Sequence, residues 1–369
     1  MKIFFIGNLN KNNSYNGQVA KTLLYHKIIN NRFGETIDTD LSSCGRNIFR
    51  LAKDFYKKIK CCDIVFAMPG PRSCRLILWL IGLANKKNRR RIVYCAIGTG
   101  FFSDLLRKKT PMYCEQFFKK IVFENKGRRL DKKILSKVDT AIFQTPLLVE
   151  AHKKFFDFKN CFYLENFRII DNRPAMKTII NKDKPLKMVY VSRVSEEKGI
   201  LDLMNIVNRI NMQHRTQLCL DIYGEIDNQK RDINSKKFFS FLNENIKHCG
   251  VLDNKEVISA ISKYDLFVFP TKYVGEGTPG VISESLIAGT PVLSSRFLQC
   301  DYILKDGFDS ILFKFNDYDD LERKLIDIDI HRNILEKLTL NAYTSGTRFL
   351  FKYNEQNFYY LLTGNKQYC

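Results

Sequence analysis

The segment best equipped for chemistry is a glycine-rich turn between an apolar strand and an apolar helix. The strand is Tyr264-Asp265-Leu266-Phe267-Val268-Phe269-Pro270. The turn holds Gly275, Glu276, Gly277, Thr278, Pro279 and Gly280. A helix then runs to Ala288, where Gly289 ends it and Pro291 opens another strand. Proline suits a first helical turn, and glycine suits a helix end. Such a turn offers backbone N–H groups and a positive dipole end to an anion, above all a phosphate. Glu276 and Glu284 flank it. Helical side chains lean toward the N-terminus, so Glu284 is expected to point back at the anion. A carboxylate beside a diphosphate is repelled unless a neutral group lies between, and sugar hydroxyls suit that position. Each hydroxyl bond to a charged acceptor contributes about 1.5–3 kcal/mol.

A diphosphate also needs cations. Val191-Ser192-Arg193-Val194-Ser195-Glu196-Glu197-Lys198-Gly199 supplies two. A strand ends at Arg193, and Lys198-Gly199 leads into a helix. Either cation alone reads as surface charge. Both together, at the carboxyl edge expected for the glycine-rich turn, read as a phosphate cradle.

These segments have to be positioned by the elements around them, and the hydrophobic pattern says which. Short apolar strands alternate with amphipathic helices, the signature of parallel sheets with crossover helices. In the first half the strands are expected at 2–7, 36–41, 63–68, 92–97, 121–124, 140–144 and 162–164, with helices at 17–30, 46–60 and 72–84. The pattern lapses over 169–187, around Pro174 and Pro185. It resumes with strands at 188–191, 217–223, just before Gly250, 265–270, 291–294 and 310–313. The helices there are expected at 200–212, 235–246, 254–263, 280–288 and 318–326. The fold class is therefore α/β, with two Rossmann-like doubly wound domains facing a cleft and ligands outside the carboxyl ends of the strands. The expected division is 1–170, a linker 171–186, a second domain 187–340, and C-terminal helices 341–369 packing back toward the first domain.

At this point the chain resembles a family. The pair Glu276 and Glu284, set in E-G-T-P-G-V-I-S-E-S-L-I-A-G-T-P-V, looks like the E-x7-E of retaining glycosyltransferases of family 4, which have the two-Rossmann GT-B fold. Arg193 and Lys198 match the family's R-x4-K. The likeness is strong over 187–316 and weaker over 1–168. There the first strand, the loop Asn16-Gly17-Gln18 and the run Asn160-Cys161-Phe162-Tyr163-Leu164-Glu165-Asn166-Phe167-Arg168 are similar to bacterial polysaccharide-assembly members. The resemblance implies a transferase moving a hexose-type sugar from a nucleotide-diphosphate sugar to a lipid-linked or other glycan acceptor, with retention. Arg193 and Lys198 would bind the leaving diphosphate. Glu284 would hold the ribose hydroxyls, and Glu276 would contact the transferred sugar. Backbone amides across Gly277, Thr278, Pro279, Gly280 and Val281 would reach the sugar and phosphates, and Gly17 would let the first loop approach the donor.

The sequence also departs from the family. Ser192 stands where members often carry glycine. Many members carry a histidine near the end of the fourth strand, and here that segment is Ala96-Ile97-Gly98-Thr99-Gly100-Phe101. The five histidines, at 26, 152, 214, 248 and 331, read as surface or structural. A front-face displacement in which the leaving phosphate takes the acceptor proton needs no histidine. Gly98, Thr99, Gly100 and Asp104 are candidates for the acceptor side. Asp38-Thr39-Asp40 matches a metal-binding D-x-D, but three residues recur by chance. It is read as a solvated turn, with no metal and no cofactor beyond the donor substrate.

Charge adds a partner. The net charge is +21, yet residues 1–170 hold 33 Lys+Arg against 13 Asp+Glu, while 171–369 is nearly balanced. A polyanion facing the first half fits this asymmetry. Leu76 to Ala84 is apolar nearly all round and is followed by Lys86-Lys87-Asn88-Arg89-Arg90-Arg91. It reads either as a fully buried crossover helix or as a surface docking on an anionic leaflet. The opening Met1–Gly7 is too short for a signal peptide, and the nine-residue run at 76–84 is too short to span. The eleven cysteines are scattered without C-x-x-C, as in a reducing compartment. The expectation is a cytoplasmic enzyme on the inner face of the membrane. Two other classes were weighed. A nucleotide-sugar epimerase would need acid and base groups that are not evident. A nucleic-acid-binding protein would need interleaved aromatic and basic residues, which are absent.

Overall fold

The computed structural model describes residues 1–10, 17–43, 47–102, 122, 127–177, 184–213, 217–226 and 235–368. The chain divides into two units. The first is Met1–Asn166 with Gly275–Thr278 and Asn354–Cys369, and the second is Phe167–Val274 with Pro279–Tyr353.

In the first unit six parallel strands lie in the order β2-β1-β3-β4-β5-β6. They are β1 (Ile3–Gly7), β2 (Ile37–Asp40), β3 (Ile64–Met68), β4 (Arg91–Cys95), β5 (Thr140–Phe143) and β6 (Cys161–Tyr163). β1 and β3 read IFFIG and IVFAM and are buried throughout, so helices must cover both faces. β2, reading IDTD, takes the edge. The helices are α1 (Gly17–Phe33), α2 (Ile48–Ile59), α3 (Cys74–Ala84), α4 (Arg129–Leu135) and α5 (Pro146–Phe156). β4 pairs directly with β5, so the strand expected at 121–124 has no place between them. Those residues, apart from the buried Val122, lie outside the described set.

The second unit has six parallel strands in the order β12-β11-β10-β7-β8-β9. They are β7 (Leu186–Val191), β8 (Leu218–Tyr223), β9 (Ile246–His248), β10 (Leu266–Phe269), β11 (Val292–Ser295) and β12 (Ser310–Phe313). The helices are α6 (Ile200–Gln213), α7 (Ser235–Ser240), α8 (Val257–Ile261), α9 (Gly280–Ala288), α10 (Cys300–Ile303), α11 (Tyr318–Ile330) and α12 (Asn333–Gly346). In this sheet the order reverses between β7 and β10, the point where open α/β sheets bind ligands. Two cores, one on each face, are built from aliphatic and aromatic strand residues against α6 and α11, and against α8, α9 and α12.

Three expectations are corrected. The tail 341–369 is not one packing block. α12 lies on α9, where Gly346 permits backbone contact, since a Cβ there would fall 2.1 Å from the Leu286 carbonyl oxygen. Only the last helix, α13 (Glu355–Thr363), belongs to the first unit, with Phe358 edge-on to Tyr25 at 5.3 Å and to Phe66 at 6.2 Å. The helix expected at 235–246 stops at Ser240. The Asn243 side chain accepts the N–H groups of Asn245 and Ile246, and the chain turns into β9 beside β8. Asp38-Thr39-Asp40 is strand β2 rather than a solvated turn. Asp38 bonds His26 at 2.8 Å, Thr39 is buried, and Asp40 accepts from the Leu9 and Ser42 amides at 2.9 Å each.

The basic run after α3 also divides. Lys86, Lys87 and Arg89 are exposed, but Arg91 is not a free surface cation. Its guanidinium donates to the Leu361 and Leu362 carbonyls at the end of α13, and to Thr140 Oγ1 at 2.6 Å. It thereby satisfies the last carbonyls of a helix whose cap is Gly364 in the left-handed conformation. Arg91→Ser is therefore expected to destabilise the protein by about 1.5–3 kcal/mol in urea unfolding. Lys87→Ser should stay within about 0.5 kcal/mol of the parent. Equal stabilities would remove Arg91 from this role.

Candidate active site

The carboxyl ends of β7 and β10 are neighbours, and each leads into one of the two motifs. After β7, Arg193 is followed by a short 3-10 turn, Glu196–Lys198, and by Gly199 at φ 71°. This glycine is required twice over. Its backbone is left-handed, and a Cβ would lie 2.0 Å from the Pro270 carbonyl oxygen. The close approach presses the cation motif onto the end of β10. Lys198 is consequently buried, at 8% exposure, with its ammonium 5.3 Å from the Tyr273 ring centroid and 5.6 Å from that of Phe269. It was expected to be exposed; the Gly199–Pro270 contact is what buries it. An ammonium over two aromatic faces is attracted to the negative face of each ring.

Arg193 is part-exposed and reaches Glu197 at 3.0 Å. Lys272, just past β10, contacts Glu196 at 2.6 Å and Asp202 at 3.0 Å. Burial works against its ammonium, but these two carboxylates outweigh it and raise the pKa. Glu196 is thus occupied within the motif, and the Lys272 amide donates to the Glu197 carbonyl, which ties the two strand ends together.

On the β10 side, α9 begins at Gly280 with Pro279 in the cap position and no side-chain cap. Its first turn carries no acidic residue. Glu284 accepts from Arg168 Nε at 2.6 Å, and both side chains are largely buried. The same guanidinium overhangs the helix start, because a Cβ on Gly280 would meet Arg168 Nη2 at 1.7 Å. The Glu284 carboxylate and the N-terminus of α9 are thus bridged by one cation. The sequence alone assigns Arg168 no role. The pair is separated by more than a hundred residues, beyond the reach of any local spacing. Arg193, Lys198, Gly280, Val281 and Glu284 all belong to the second unit, with Pro279.

Gly277, Thr278 and the buried Glu276 group with the first unit, where Asn166 Nδ2 holds the Thr278 carbonyl at 2.8 Å. In that unit Gly17 opens α1 with open space where a Cβ would be. Gly98 and Gly100 have φ of 60° and 56°, so the loop after β4 depends on glycine at both positions, and Thr99 between them is buried. Lys21 of α1, which the sequence reading passed over, is buried and donates to the Ala96 carbonyl at 3.3 Å. Asp104 lies outside the described residues.

The histidine near this loop is His152, and it is a packing residue. Its ring stacks on Phe143 at 4.0 Å and meets Phe102 edge-on at 4.8 Å, while Nδ1 donates to the Leu148 carbonyl at 2.7 Å. It is fully buried, and Nε2 has no hydrogen-bond partner among the described residues.

Residues 172–344 match the family model described as glycosyl transferases group 1. That match spans a little under half of the chain. The chain is 22% identical over 153 residues to an uncharacterized glycosyltransferase of Methanocaldococcus jannaschii, covering 42% of this chain and 38% of that one. It is 23% identical over 138 residues to an uncharacterized protein in the cps region of Klebsiella pneumoniae, covering 37% of this chain and 35% of that one. The matches thus span little more than a third of these curated relatives. Among solved structures, HepE of Anabaena in complex with UDP superposes with a TM-score of 0.70 at 13% identity, over 99% of this chain and 100% of that one. HepE has also been solved with UDP-glucose, at a TM-score of 0.69, 14% identity and the same coverage. The fold is GT-B, with two Rossmann-like domains.

His152 generates a pH prediction. Burial holds its pKa at about 3, against 6.5 for the free side chain. Above pH 6.5 neither state carries the proton. Below it the unfolded chain binds a proton that the folded chain refuses, so stability falls as pH drops from 6.5 toward 3, by up to about 1.4 kcal/mol per unit. Between pH 7.5 and 5, His152→Phe should lose about 2 kcal/mol less than the parent in urea unfolding. An unchanged pH profile in the variant would show that the imidazole is not held neutral.

Proposed function

We propose that the protein transfers a hexose-type sugar from a nucleotide-diphosphate sugar to a glycan acceptor, with retention, in the manner of family 4. The observation that carries this reading is the meeting of two motifs at the point where the second sheet reverses order. Lys198 and Arg193 follow β7, and the uncapped start of α9 follows β10. The UDP and UDP-glucose held by HepE support a nucleotide-sugar donor.

In the reaction the bond from the anomeric carbon to the donor phosphate breaks, and a bond from that carbon to an acceptor hydroxyl forms on the same face. The hydroxyl proton passes to the departing phosphate. Negative charge grows on the diphosphate as the bond breaks, and a buried, pre-placed ammonium stabilises it without reorganising water. Lys198 takes that part, with Arg193 as its partner. Glu284 holds the ribose hydroxyls and Glu276 the transferred sugar. Amides from Gly277 through Val281 meet the sugar and phosphates, and Gly17 admits the donor. Gly98, Thr99, Gly100 and Asp104 line the acceptor side. No metal and no histidine base enter this scheme. His152 is neutral and faces the aromatic core.

The acceptor we propose is lipid-linked, in surface-polysaccharide assembly on the inner face of the membrane. The capsule-region relative supports the setting. The surface of the first unit supports the location. α3 is not fully buried: Leu76, Trp79 and Leu83 are 38%, 44% and 54% exposed along one face. α2 and α4 flank it with exposed Phe49, Tyr56 and Leu130. The charges around these residues are cationic, with Lys53, Lys57, Lys86, Lys87, Arg89, Arg128 and Arg129 exposed. The acidic residues of these helices, Asp54 and Asp131, are paired with Lys58 and Arg75. Apolar side chains ringed by exposed cations suit an anionic leaflet. Among the described residues no helix is long and apolar enough to cross a membrane.

Two experiments test the reading. Lys198→Ala should lower turnover of labelled nucleotide sugar by roughly a hundredfold or more. It should also cost some stability, because the side chain is buried, so folding is checked by circular dichroism. A folded variant with near-normal turnover would end the assignment. Replacing Lys86, Lys87 and Arg89 together by Ser should weaken binding to phosphatidylglycerol vesicles, each cation contributing about 1 kcal/mol. Trp79, the only tryptophan, reports directly, since its emission should shift to the blue on binding. Binding that ignores both salt and the triple substitution would locate the contact elsewhere.

A further inference from the structure

The Arg168–Glu284 pair can be read as a rivet that fastens the chain after β6 to α9, or as part of the site. Fastening is already done by other groups. The Arg168 amide donates to the Phe349 carbonyl, and its own carbonyl accepts from Phe351, so the backbone is pinned whatever the side chain does. Five residues on, Arg173 binds the other end of α9, donating to the Ile287 carbonyl at 2.7 Å and to Leu286. A guanidinium at that end suits the helix dipole. One at the start of α9 is repelled by the dipole, unless anions meet there.

Glu284 supplies one such anion, and it needs the cation in return. A carboxylate beside a diphosphate is driven away or protonated unless a positive group lies against it. Arg168 Nε binds Glu284 Oε1 at 2.6 Å, and the planar guanidinium fixes the direction of the carboxylate in a way that a point charge does not. Gly280 leaves the room for this, since any side chain would strike Nη2.

We propose that Arg168 is a positioning residue. It orients the Glu284 carboxylate toward the ribose hydroxyls of the donor and screens it from the diphosphate. The inference rests on the donor reading above and adds to it the residue that makes Glu284 selective for ribose.

The test compares binding of each common nucleoside diphosphate with its 2′-deoxy counterpart by calorimetry. The parent should prefer the ribonucleotide by roughly tenfold or more, the worth of a hydrogen bond to a charged acceptor. Arg168→Ala should flatten that preference as Glu284→Gln does. The double variant should be no flatter than either single one, because the two residues act as a unit. A weakened grip on ribo- and deoxyribonucleotides alike, with the preference kept, would make Arg168 a mere charge or rivet and overturn the inference. If Arg168→Ala does not fold, Arg168→Lys is read the same way, because it keeps the charge without the planar fork. A parent that binds no nucleoside diphosphate overturns the donor reading, and this inference with it. A parent that prefers ribose, beside an Arg168 variant that prefers it equally, overturns the inference alone.

Discussion

Helix α9 is gripped at both ends by arginines of one short segment, and the placing of its first turn and of Glu284 depends on that grip. Arg173 stacks on the Tyr343 ring at 3.5 Å and bonds carbonyls of the last turn of α9. Arg168 bonds Glu284 and overhangs the first turn. Between them Gly346 lets α12 sit directly on the backbone of α9. Contacts at both ends and along one side oppose sliding or rotation of the helix. Its first amides and Glu284 therefore keep fixed positions beside the strand end they follow. Preorganisation of this kind is what lets a helix terminus act on charge that develops only during reaction.

The cation motif is fixed by a different device. Gly199 has no Cβ, so β7 and β10 can end in contact, and Lys198 is folded under Tyr273 and Phe269. Lys272, which also sits at this edge, is neutralised by Glu196 and Asp202. The two lysines thus divide the work. One holds the loops together, and the other packs against aromatic faces. In the first unit the loop after β4 is backed by an aromatic block of Tyr94, Phe101, Phe143 and Phe156 with His152 inside it. The imidazole there behaves as one more ring.

Much of this was legible in the sequence where local rules govern. The bounds of α9, Gly280 to Ala288, could be read from proline before and glycine after, and both glycines do what their positions imply. The strands of both sheets followed from apolar runs too short for helices. What could not be read depends on partners far along the chain. The segment 235–246 has helical composition, yet its helix stops at Ser240, and Asn243 makes the turn into β9, the short strand expected just before Gly250. Lys198 looks exposed by type and buried by packing. Arg91 looks like one member of a basic run, but it is the cap of α13. Arg168 carries no local signal. The one clue was indirect, a glycine in the first helical position of α9, after a proline that cannot cap with its side chain.

The division of charge between the units follows from how their cations are employed. In the second unit carboxylates nearly match cations in number, and several pair: Arg209 with Glu322, Arg296 with Asp301 and Asp306, Arg332 with Asp329, and Lys177 with Asp265. Such pairs are short-ranged and leave little field beyond a Debye length. The first unit has too few carboxylates for this, and most of those described on its helices already have partners. Among the described residues, much of its excess charge faces solvent, where it adds up over a surface instead of cancelling in pairs. Self-repulsion makes such a surface costly to keep on a free-standing protein. Placed against an anionic leaflet the same charges repel one another less, because counter-charge lies within a few ångströms. The exposed ring of Trp79 and its apolar neighbours then gains from leaving water as well. The two contributions favour the same face of the same unit, which neither charge nor hydrophobicity would single out alone.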